Sequence, residues 1–344
     1  MKKRFSVIVL TWNGRHYLQE YLPSVMASLG PQDECIVADN ASTDDTASWL
    51  REHAPGARHV ILDDNYGYCG GNNRAATHAE GAFLLFLNND VEVSADWLDK
   101  LAPSFENPDI AIAQPKLRAI HDRASFEYAG GSGGYIDKYG YPFCRGRLFD
   151  ALEKDQGQYD DARAIFWASG AALAIRTEMF GELQGFDEDF EFHMEEIDLC
   201  WRAQNRGYMV WVEPSSVIYH LGGGSLEPMN PRKTYYNYRN NLVMLIRNLP
   251  KAGFASTLFV RLILDGISAI PLALKGKWRH INAILRAHGY IYSNKRALMR
   301  KRSKEAFQRT NAHNPHTVWP KSIILAYFVR GKRRYFELET SGNA

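Results

Sequence analysis

The sequence has little cysteine, no long uncharged apolar run and no signal peptide pattern. Only four of its 344 residues are cysteines, they are far apart, and they form no C-x-x-C pair. That scarcity disfavours a zinc site or a disulfide framework and fits a reducing compartment. The apolar run near the basic N-terminus covers only residues 5–10, so it predicts a first strand and not a leader. No stretch of 18 residues lacks charge, which favours interfacial helices over membrane-spanning ones.

Charge of either sign is balanced in total but separated along the chain. The net charge is +2, yet residues 1–230 hold 19 Lys/Arg and 35 Asp/Glu, whereas residues 231–344 hold 22 and 4. The two parts therefore carry −16 and +18. This asymmetry predicts an anionic partner for the second part. The basic part has no nucleic-acid recognition motif, so an anionic membrane surface is expected and nucleic acid is not.

Apolar and amphipathic segments alternate through the first 115 residues. Hydrophobic residues make up 45% of the chain and charged residues 23%, as is usual for a globular protein with a sizeable core. The pattern predicts strands at residues 5–11, 34–39, 58–62, 82–87 and 110–115, and helices at residues 15–29, 43–52, 72–80 and 95–105. This alternation is typical of a mostly parallel α/β sheet with helices on both faces. Ligands of such sheets bind beyond the carboxyl ends of the strands.

Later segments are less regular. Residues 119–163 are rich in Gly, Tyr and Asp and predict long loops, a helix is expected at residues 195–205, and a strand is expected at residues 208–213. The composition changes near Pro231 to basic, aromatic and aliphatic residues. We therefore predict a catalytic domain at 1–230 and a basic, amphipathic helical region at 231–344.

The residues after the predicted strands are candidates for a ligand site. Asp39 ends the second strand, where its carboxylate would face the crevice. Glycines follow the third strand in residues 67–71, where the backbone can approach a ligand closely and the next helix offers its N-terminus to phosphate. Asp90 follows an apolar strand and is a suitable ligand for Mg²⁺ or Mn²⁺ beside substrate phosphates. A turn would also explain the glycines and a helix cap would also explain Asp90, but neither explains Asp39.

Two further features carry chemistry. Residues 187–198 contain seven acids among large apolar residues, and partial burial of such acids raises carboxylate pKa values as a general base requires. A solvated acidic face is the alternative. His220 follows a predicted strand and precedes a glycine run, which makes it a candidate metal ligand, although a lone histidine is more often structural.

Taken in order, these residues resemble the family 2 inverting nucleotide-sugar glycosyltransferases, which have the GT-A fold. The resemblance covers residues 4–225 and is strongest with the rhamnosyltransferase-like branch that extends bacterial surface polysaccharides. It rests on the segments 6–14, 39–44, 65–73, 88–90, 170–171, 185–187 and 195–202 and on His220. Two positions depart from the family pattern: Asn88 replaces the first acid of the D-x-D motif, and Glu196 replaces the second acid of E-D-x-D.

The resemblance implies a role for each matching residue. Glu196 would be the catalytic base, with Glu195 and Asp198 as alternatives. Asp90, Asn88 and His220 would hold Mg²⁺ or Mn²⁺. The nucleotide sugar would be bound by Thr11, Asn13, Asp39, Asn65, Gly67, Gly71, Asn72 and Asn89.

The implied activity is metal-dependent transfer of a sugar, with rhamnose as one candidate, from a nucleoside-diphosphate donor to a growing or polyprenyl-linked glycan. The enzyme would be cytoplasmic and peripheral on the inner face of the plasma membrane, and a homodimer is conceivable. Two other functions stay open: a sugar nucleotidyltransferase, and a non-catalytic nucleotide-binding membrane scaffold. The basic helices could also simply pack on the catalytic domain with a solvated surface.

Overall fold

The computed structural model describes residues 3–222, 230–310 and 317–339. Gly223 and Gly224, part of the glycine run after His220, lie outside the described residues. The strands within these ranges are β1 Lys3–Thr11, β2 Glu34–Asp39, β3 Arg58–Ile61, β4 Gly81–Asn88, β5 Val91–Val93, β6 Ile110–Ala119, β7 Gly134–Asp137, β8 Pro142–Cys144, β9 Arg147–Leu148, β10 Ala151–Leu152, β11 Arg163–Ile165, β12 Ala172–Arg176, β13 Met209–His220 and β14 Val318–Trp319.

The α-helices in the same ranges are α1 Arg15–Ala27, α2 Thr46–His53, α3 Gly67–Ala76, α4 Trp97–Leu101, α5 Thr177–Glu182, α6 Glu195–Asn205, α7 Pro231–Asn248, α8 Phe254–Leu274, α9 Trp278–Ser293, α10 Lys295–Gln308 and α11 Phe336–Glu339. Helix α7 shows how local sequence sets a boundary. Asn230 caps it by accepting a hydrogen bond from the Arg232 backbone N–H at 2.9 Å, and Pro231 occupies the first turn.

The large sheet has the order β11-β13-β6-β12-β4-β1-β2-β3, with β5 paired to β13. Strands β1 to β4 are parallel to one another, as the sequence predicts. The other half is mixed, because β12 runs antiparallel to both β4 and β6. In the parallel half, Leu10 of β1 pairs with Asn88 of β4 and Thr11 pairs with Asp39 of β2. This register brings the polar ends of three strands to one edge.

The segment predicted as a glycine loop is helical: α3 begins at Gly67 and contains Gly70 and Gly71. A Cβ atom on Gly71 would lie 2.7 Å from Leu10 Cδ1, and one on Gly70 would lie 2.8 Å from Tyr66 Cβ. Gly71 therefore lets α3 pack closely on β1, and Gly70 leaves room for the Tyr66 side chain. The loop prediction is wrong here because close helix packing and a ligand loop leave the same composition.

Residues 119–163, expected as long loops, contain most of a second, five-stranded sheet of order β10-β9-β8-β7-β14. Its strands are two to four residues long, too short to show a clear alternation. Strand β14 comes from the basic C-terminal part and pairs in parallel with β7. Strand β13 is also longer than predicted and continues to His220.

The C-terminal helices join the rest of the protein through buried charge. Arg247 of α7 lies 2.7 Å from Asp187 and 3.1 Å from Asp198, which is fully buried in α6. Lys301 of α10 also contacts Asp187, at 2.7 Å. The two predicted regions are therefore held together by ion pairs between the acidic first part and the basic second part.

Candidate active site

Polar side chains gather where β1, β2 and β4 end. Asn89 Nδ2 donates to Thr11 Oγ1 at 3.0 Å, and Thr11 is 2% exposed. A Cβ atom on Gly14 would lie 2.3 Å from Thr11 Oγ1 and 2.5 Å from Asn89 Nδ2. Only glycine at position 14 therefore leaves room for this contact, which joins the ends of β1 and β4.

Asn13 ties the loop after β1 to the loop after β2. It adopts a left-handed backbone with φ of 50°, its backbone N–H donates to Ser42 Oγ at 2.8 Å, and its side-chain oxygen accepts from the Thr43 N–H at 2.8 Å. Asp39 accepts from the Ser42 N–H at 2.9 Å. The predicted nucleotide-binding residues Thr11, Asn13 and Asp39 thus form one hydrogen-bonded edge.

Asn40 organises the next part of this edge, and sequence reasoning missed it. Its Nδ2 donates to Asn65 Oδ1 at 2.9 Å and to the Gly67 carbonyl at 3.1 Å, and its Oδ1 accepts from the Tyr66 N–H at 3.0 Å. Asn65 in turn accepts from the Gly67 N–H at 3.0 Å. These bonds fix the start of α3 beside the end of β2. The only sequence signal was an asparagine directly after a strand.

Two other residues that were predicted to bind the nucleotide sugar lie inside α3. Asn72 is 1% exposed and its Nδ2 donates to the Tyr68 carbonyl at 3.0 Å. Gly71 lies against Leu10. Helix packing accounts for both residues, and their contact with the nucleotide sugar stays a prediction.

Trp12 lies between Thr11 and Asn13 and is 54% exposed. It presents a large aromatic surface that the sequence analysis did not identify.

The three predicted metal ligands lie together. His220 Nε2 is 3.1 Å from Asp90 Oδ1 and 3.4 Å from Asn88 Nδ2. On the other side of the imidazole, Nδ1 is 3.3 Å from Glu127 Oε1, a carboxylate that sequence reasoning missed. Burial alone would lower the pKa of His220, but the Asp90 and Glu127 carboxylates raise it to about 10.

This group can supply part of the coordination shell of a divalent ion. Within residues 3–222, 230–310 and 317–339, no three His, Cys, Asp or Glu side chains are placed to hold one ion together, because Asp90 and Glu127 meet opposite nitrogens of His220. Mg²⁺ and Mn²⁺ take oxygen ligands, and Mg²⁺ commonly uses one or two carboxylates with water and substrate phosphates. Asp90 would supply the carboxylate and Asn88 an amide oxygen. Coordination by His220 would require its neutral form, so ion binding there would release a proton.

Glu195 and Glu196 open helix α6 after an unusual turn. His193 and Met194 both have left-handed backbones, with φ of 66° and 74°, which costs on the order of 1 kcal/mol or more for each. In the described part of the chain, one carboxylate oxygen of each glutamate is buried without a hydrogen-bond partner. Burial raises the pKa of both glutamates, that of Glu196 to about 7. Such unpartnered acids are suited to accepting a proton from a bound molecule.

The acid pair and the metal-ligand group flank the same short segment. The Asn88 N–H donates to the Ala171 carbonyl at 3.0 Å. The Tyr68 hydroxyl donates to the Gly170 carbonyl at 2.9 Å, and a Cβ atom on Gly170 would lie 3.8 Å from Glu196 Cβ. The structure therefore brings both Glu196 and Asn88 next to the Gly170-Ala171 dipeptide, although 108 positions separate them in the sequence.

Asp198 is not a candidate base, contrary to one of the predicted alternatives. It is fully buried, and Arg202 Nε and Arg247 Nη1 contact its Oδ2 at 2.7 and 3.1 Å. Asn248 Nδ2 donates to Oδ1 at 2.7 Å. With both oxygens engaged, Asp198 holds α6 to α7 and is not available to accept a substrate proton.

Helix α7 holds the turn before the acid pair. Asn240, 1% exposed, donates from Nδ2 to the carbonyls of Phe192 and His193 at 2.6 and 2.9 Å. Arg239 donates to the Asp189 carbonyl at 2.6 Å. The basic C-terminal part thus stabilises the strained approach to the candidate base. No local sequence pattern indicates such a long-range contact.

The raised pKa of Glu196 has a consequence for activity. If this carboxylate takes the proton of a substrate hydroxyl, the active form of the enzyme has Glu196 deprotonated. We therefore expect kcat/KM to fall about tenfold per pH unit below about pH 7 and to level off above it. Initial rates from about pH 5 to pH 9, with folding monitored by tryptophan fluorescence, test this. A profile that is flat through neutrality would contradict the assignment.

Comparison with known proteins agrees with this geometry. Residues 6–154 match the model of glycosyl transferase family 2. An O-antigen biosynthesis protein of Myxococcus xanthus is 28% identical over 238 residues, which cover 68% of this chain and 18% of that protein. An N-acetylglucosaminyl-diphospho-decaprenol L-rhamnosyltransferase of Mycobacterium tuberculosis is 26% identical over 62% of this chain and 75% of its own length. The chain therefore spans less than a fifth of the first relative and three quarters of the second.

Among solved structures, GalNAc-T7 with UDP, GalNAc and Mn²⁺ superposes with a TM-score of 0.57 at 18% identity, over 72% of this chain and 48% of that one. The fold is that of the GT-A glycosyltransferases, as the sequence predicts. The match to the glycosyl transferase family 2 model covers a little under half of the chain and agrees with the resemblance stated from the sequence.

Proposed function

We propose that this protein transfers a sugar from a nucleoside-diphosphate donor to a lipid-linked or growing glycan, with inversion at the anomeric carbon. The observation that carries the proposal is that two chemical groups adjoin the same dipeptide, Gly170-Ala171. One group contains Asp90, Asn88 and His220, and the other contains the unpartnered oxygens of Glu195 and Glu196. A leaving diphosphate and an attacking hydroxyl need these two kinds of group on opposite sides of the transferred sugar.

The residues divide the reaction between them. Thr11, Asn13, Asp39 and Asn65 position the nucleoside and diphosphate along the polar edge. A divalent ion held by Asp90 and His220 would supply positive charge that stabilises the departing diphosphate. Glu196 accepts the proton of the acceptor hydroxyl while the oxygen of that hydroxyl bonds to the anomeric carbon. The bond from that carbon to the diphosphate oxygen breaks, and its electron pair leaves with the nucleoside diphosphate.

The names of the relatives support the substrate classes. The mycobacterial relative is named for transferring L-rhamnose to a diphospho-decaprenol acceptor, and the Myxococcus relative for O-antigen biosynthesis. GalNAc-T7 was solved with a uridine nucleotide and Mn²⁺. We infer a polyprenyl-linked acceptor in surface polysaccharide synthesis, with rhamnose among the donor sugars and Mg²⁺ or Mn²⁺ as cofactor.

Helix α8 supports peripheral attachment to a membrane. Among the described helices it alone is long and apolar enough to cross one, yet its charged residues point inward. Arg261 and Asp265 pair at 2.8 Å and are 3% and 0% exposed, whereas Phe259, Ile270 and Leu274 are exposed by 66%, 56% and 84%. Such a helix, polar toward the protein and apolar outward, suits the plane of a bilayer interface. The cytoplasmic face is expected because nucleotide donors are made there.

The donor site is tested by thermal denaturation with a panel of nucleotide sugars, with and without Mn²⁺. One donor is expected to raise the wild-type Tm only when metal is present. Asp90→Ala is expected to lose that shift because it removes the carboxylate from the proposed metal ligands Asp90, Asn88 and His220. Asp109→Ala is the matched control, since Asp109 is exposed and precedes β6, at the opposite edge of the sheet. The absence of a shift with every donor would overturn the proposed donor site.

A further inference from the structure

The four long C-terminal helices enclose an apolar cavity of about 210 Å³ that opens to the surface. Its aliphatic lining includes Leu242 and Ile246 of α7, Leu258 and Leu262 of α8, Ile291 of α9 and Leu298 of α10. For scale, an engineered cavity of about 150 Å³ in another protein holds benzene. This cavity, called the helical groove below, is therefore large enough for a branched aliphatic segment.

The helical groove borders a basic depression on α10. That depression is lined by Arg296, Met299, Arg300 and Ser303, and Met299 also lines the groove. Lys295 lies at the groove itself. All three cations are exposed, and residues 266–304 contain ten Lys or Arg and no Asp or Glu. An apolar cavity next to an unbalanced cationic pocket matches the two ends of an anionic amphiphile.

The groove also adjoins the catalytic machinery through one helix. Leu242 and Ile246 of α7 line it, while Asn240 of the same helix holds the carbonyls of Phe192 and His193 before the acid pair. An α-helix is about 10 Å across, so a molecule in the groove lies roughly one helix diameter from the turn that carries Glu195 and Glu196. This proximity favours a substrate over an unrelated lipid.

We propose that the helical groove binds the aliphatic chain of the acceptor lipid, with its phosphate at Lys295, Arg296 and Arg300. The assignment rests on the proposed function, which supplies the acceptor class. It adds a second binding site on the enzyme, distinct from the donor edge. The exposed apolar face of α8 continues outward from Leu258 and Leu262, so a chain could enter from the plane of a bilayer without crossing water.

The test uses farnesyl phosphate, below its micellar concentration, as a short isoprenoid phosphate. We expect it to raise the wild-type Tm, and we expect inorganic phosphate at the same concentration to have no effect. Leu262→Trp and Leu258→Trp, which fill the groove, should each weaken farnesyl phosphate binding at least tenfold. Arg300→Glu should weaken it as well, because the phosphate would lose a cation and meet an anion. Ile270→Trp, on α8 but outside the lining, is the matched control and should bind as wild type does.

Several outcomes would overturn the proposal. Equal binding of farnesyl phosphate to Leu262→Trp, Leu258→Trp and Ile270→Trp would indicate adsorption to the outer face of α8. Equal affinity for dihexanoyl phosphatidylglycerol would identify a site for bilayer phospholipid instead of the acceptor. No binding to the wild type would refute the site. The donor-induced Tm shift, measured on the same variants, shows that they are folded and separates failure of the groove from failure of the donor site.

Discussion

Replacing Glu196 by glutamine is expected to lower kcat by about 10²- to 10⁴-fold, the range typical for removing a general base. The substitution keeps the size of the side chain but removes the ability to take a proton. Donor affinity should change little, because the substitution leaves Asp90, Asn88 and His220 intact and Glu196 is not among the residues proposed to bind the donor. Release of nucleoside diphosphate under saturating donor and acceptor measures the effect.

Two comparisons make this prediction decisive. Glu178→Gln, an exposed residue on α5, is the matched control and should keep full activity. Glu195→Gln tests the neighbouring acid: if it abolishes turnover and Glu196→Gln does not, Glu195 is the base. If neither variant loses activity, the base assignment is wrong. If the biological activity also persists without turnover, the scaffold function is favoured, and release of pyrophosphate would indicate a nucleotidyltransferase.

Asp198→Ala is expected to destabilise the fold by about 3–5 kcal/mol, as breaking a buried ion pair does when one partner is removed. Asp198 is fully buried, and its loss would leave Arg202, which is 1% exposed, without its carboxylate. It would also remove the contacts to Arg247 and Asn248 that join α6 to α7. The free energy of unfolding from urea titration, compared with that of the wild type, measures the loss.

Asp198→Asn separates a structural role from a catalytic one. The amide keeps one oxygen, which can still accept from Arg202 or from Asn248 but not from both. We therefore expect a milder loss of stability than for alanine and a near-normal kcat in the folded enzyme. A folded Asp198→Asn variant with wild-type stability and no turnover would contradict our view and would restore Asp198 as a base. Glu213→Gln, at the register shift of β13, serves as a control for loss of a carboxylate, because among the described residues the side chain of Glu213 is bonded only by nearby Ser215.

Several elements of the fold were predictable because their signals are local. Strand β2 was expected at residues 34–39 and lies there, and helix α6 was expected at residues 195–205 and lies there. Both segments have clear periodicity and clear ends. The small second sheet was missed because its strands are too short to alternate, and β14 reaches it from a distant part of the chain.

The sequence by itself determined the GT-A fold and the location of the candidate residues, since each of Thr11, Asp39 and Asp90 is placed by the end of its own strand. Tertiary structure decided how those residues are used. Asp198 and Glu196 are two positions apart in one acidic run, but only packing engages the first with Arg202 and Arg247 and leaves an oxygen of the second without a partner. Burial and ion pairing depend on residues remote in sequence, so composition alone cannot distinguish a structural carboxylate from a base.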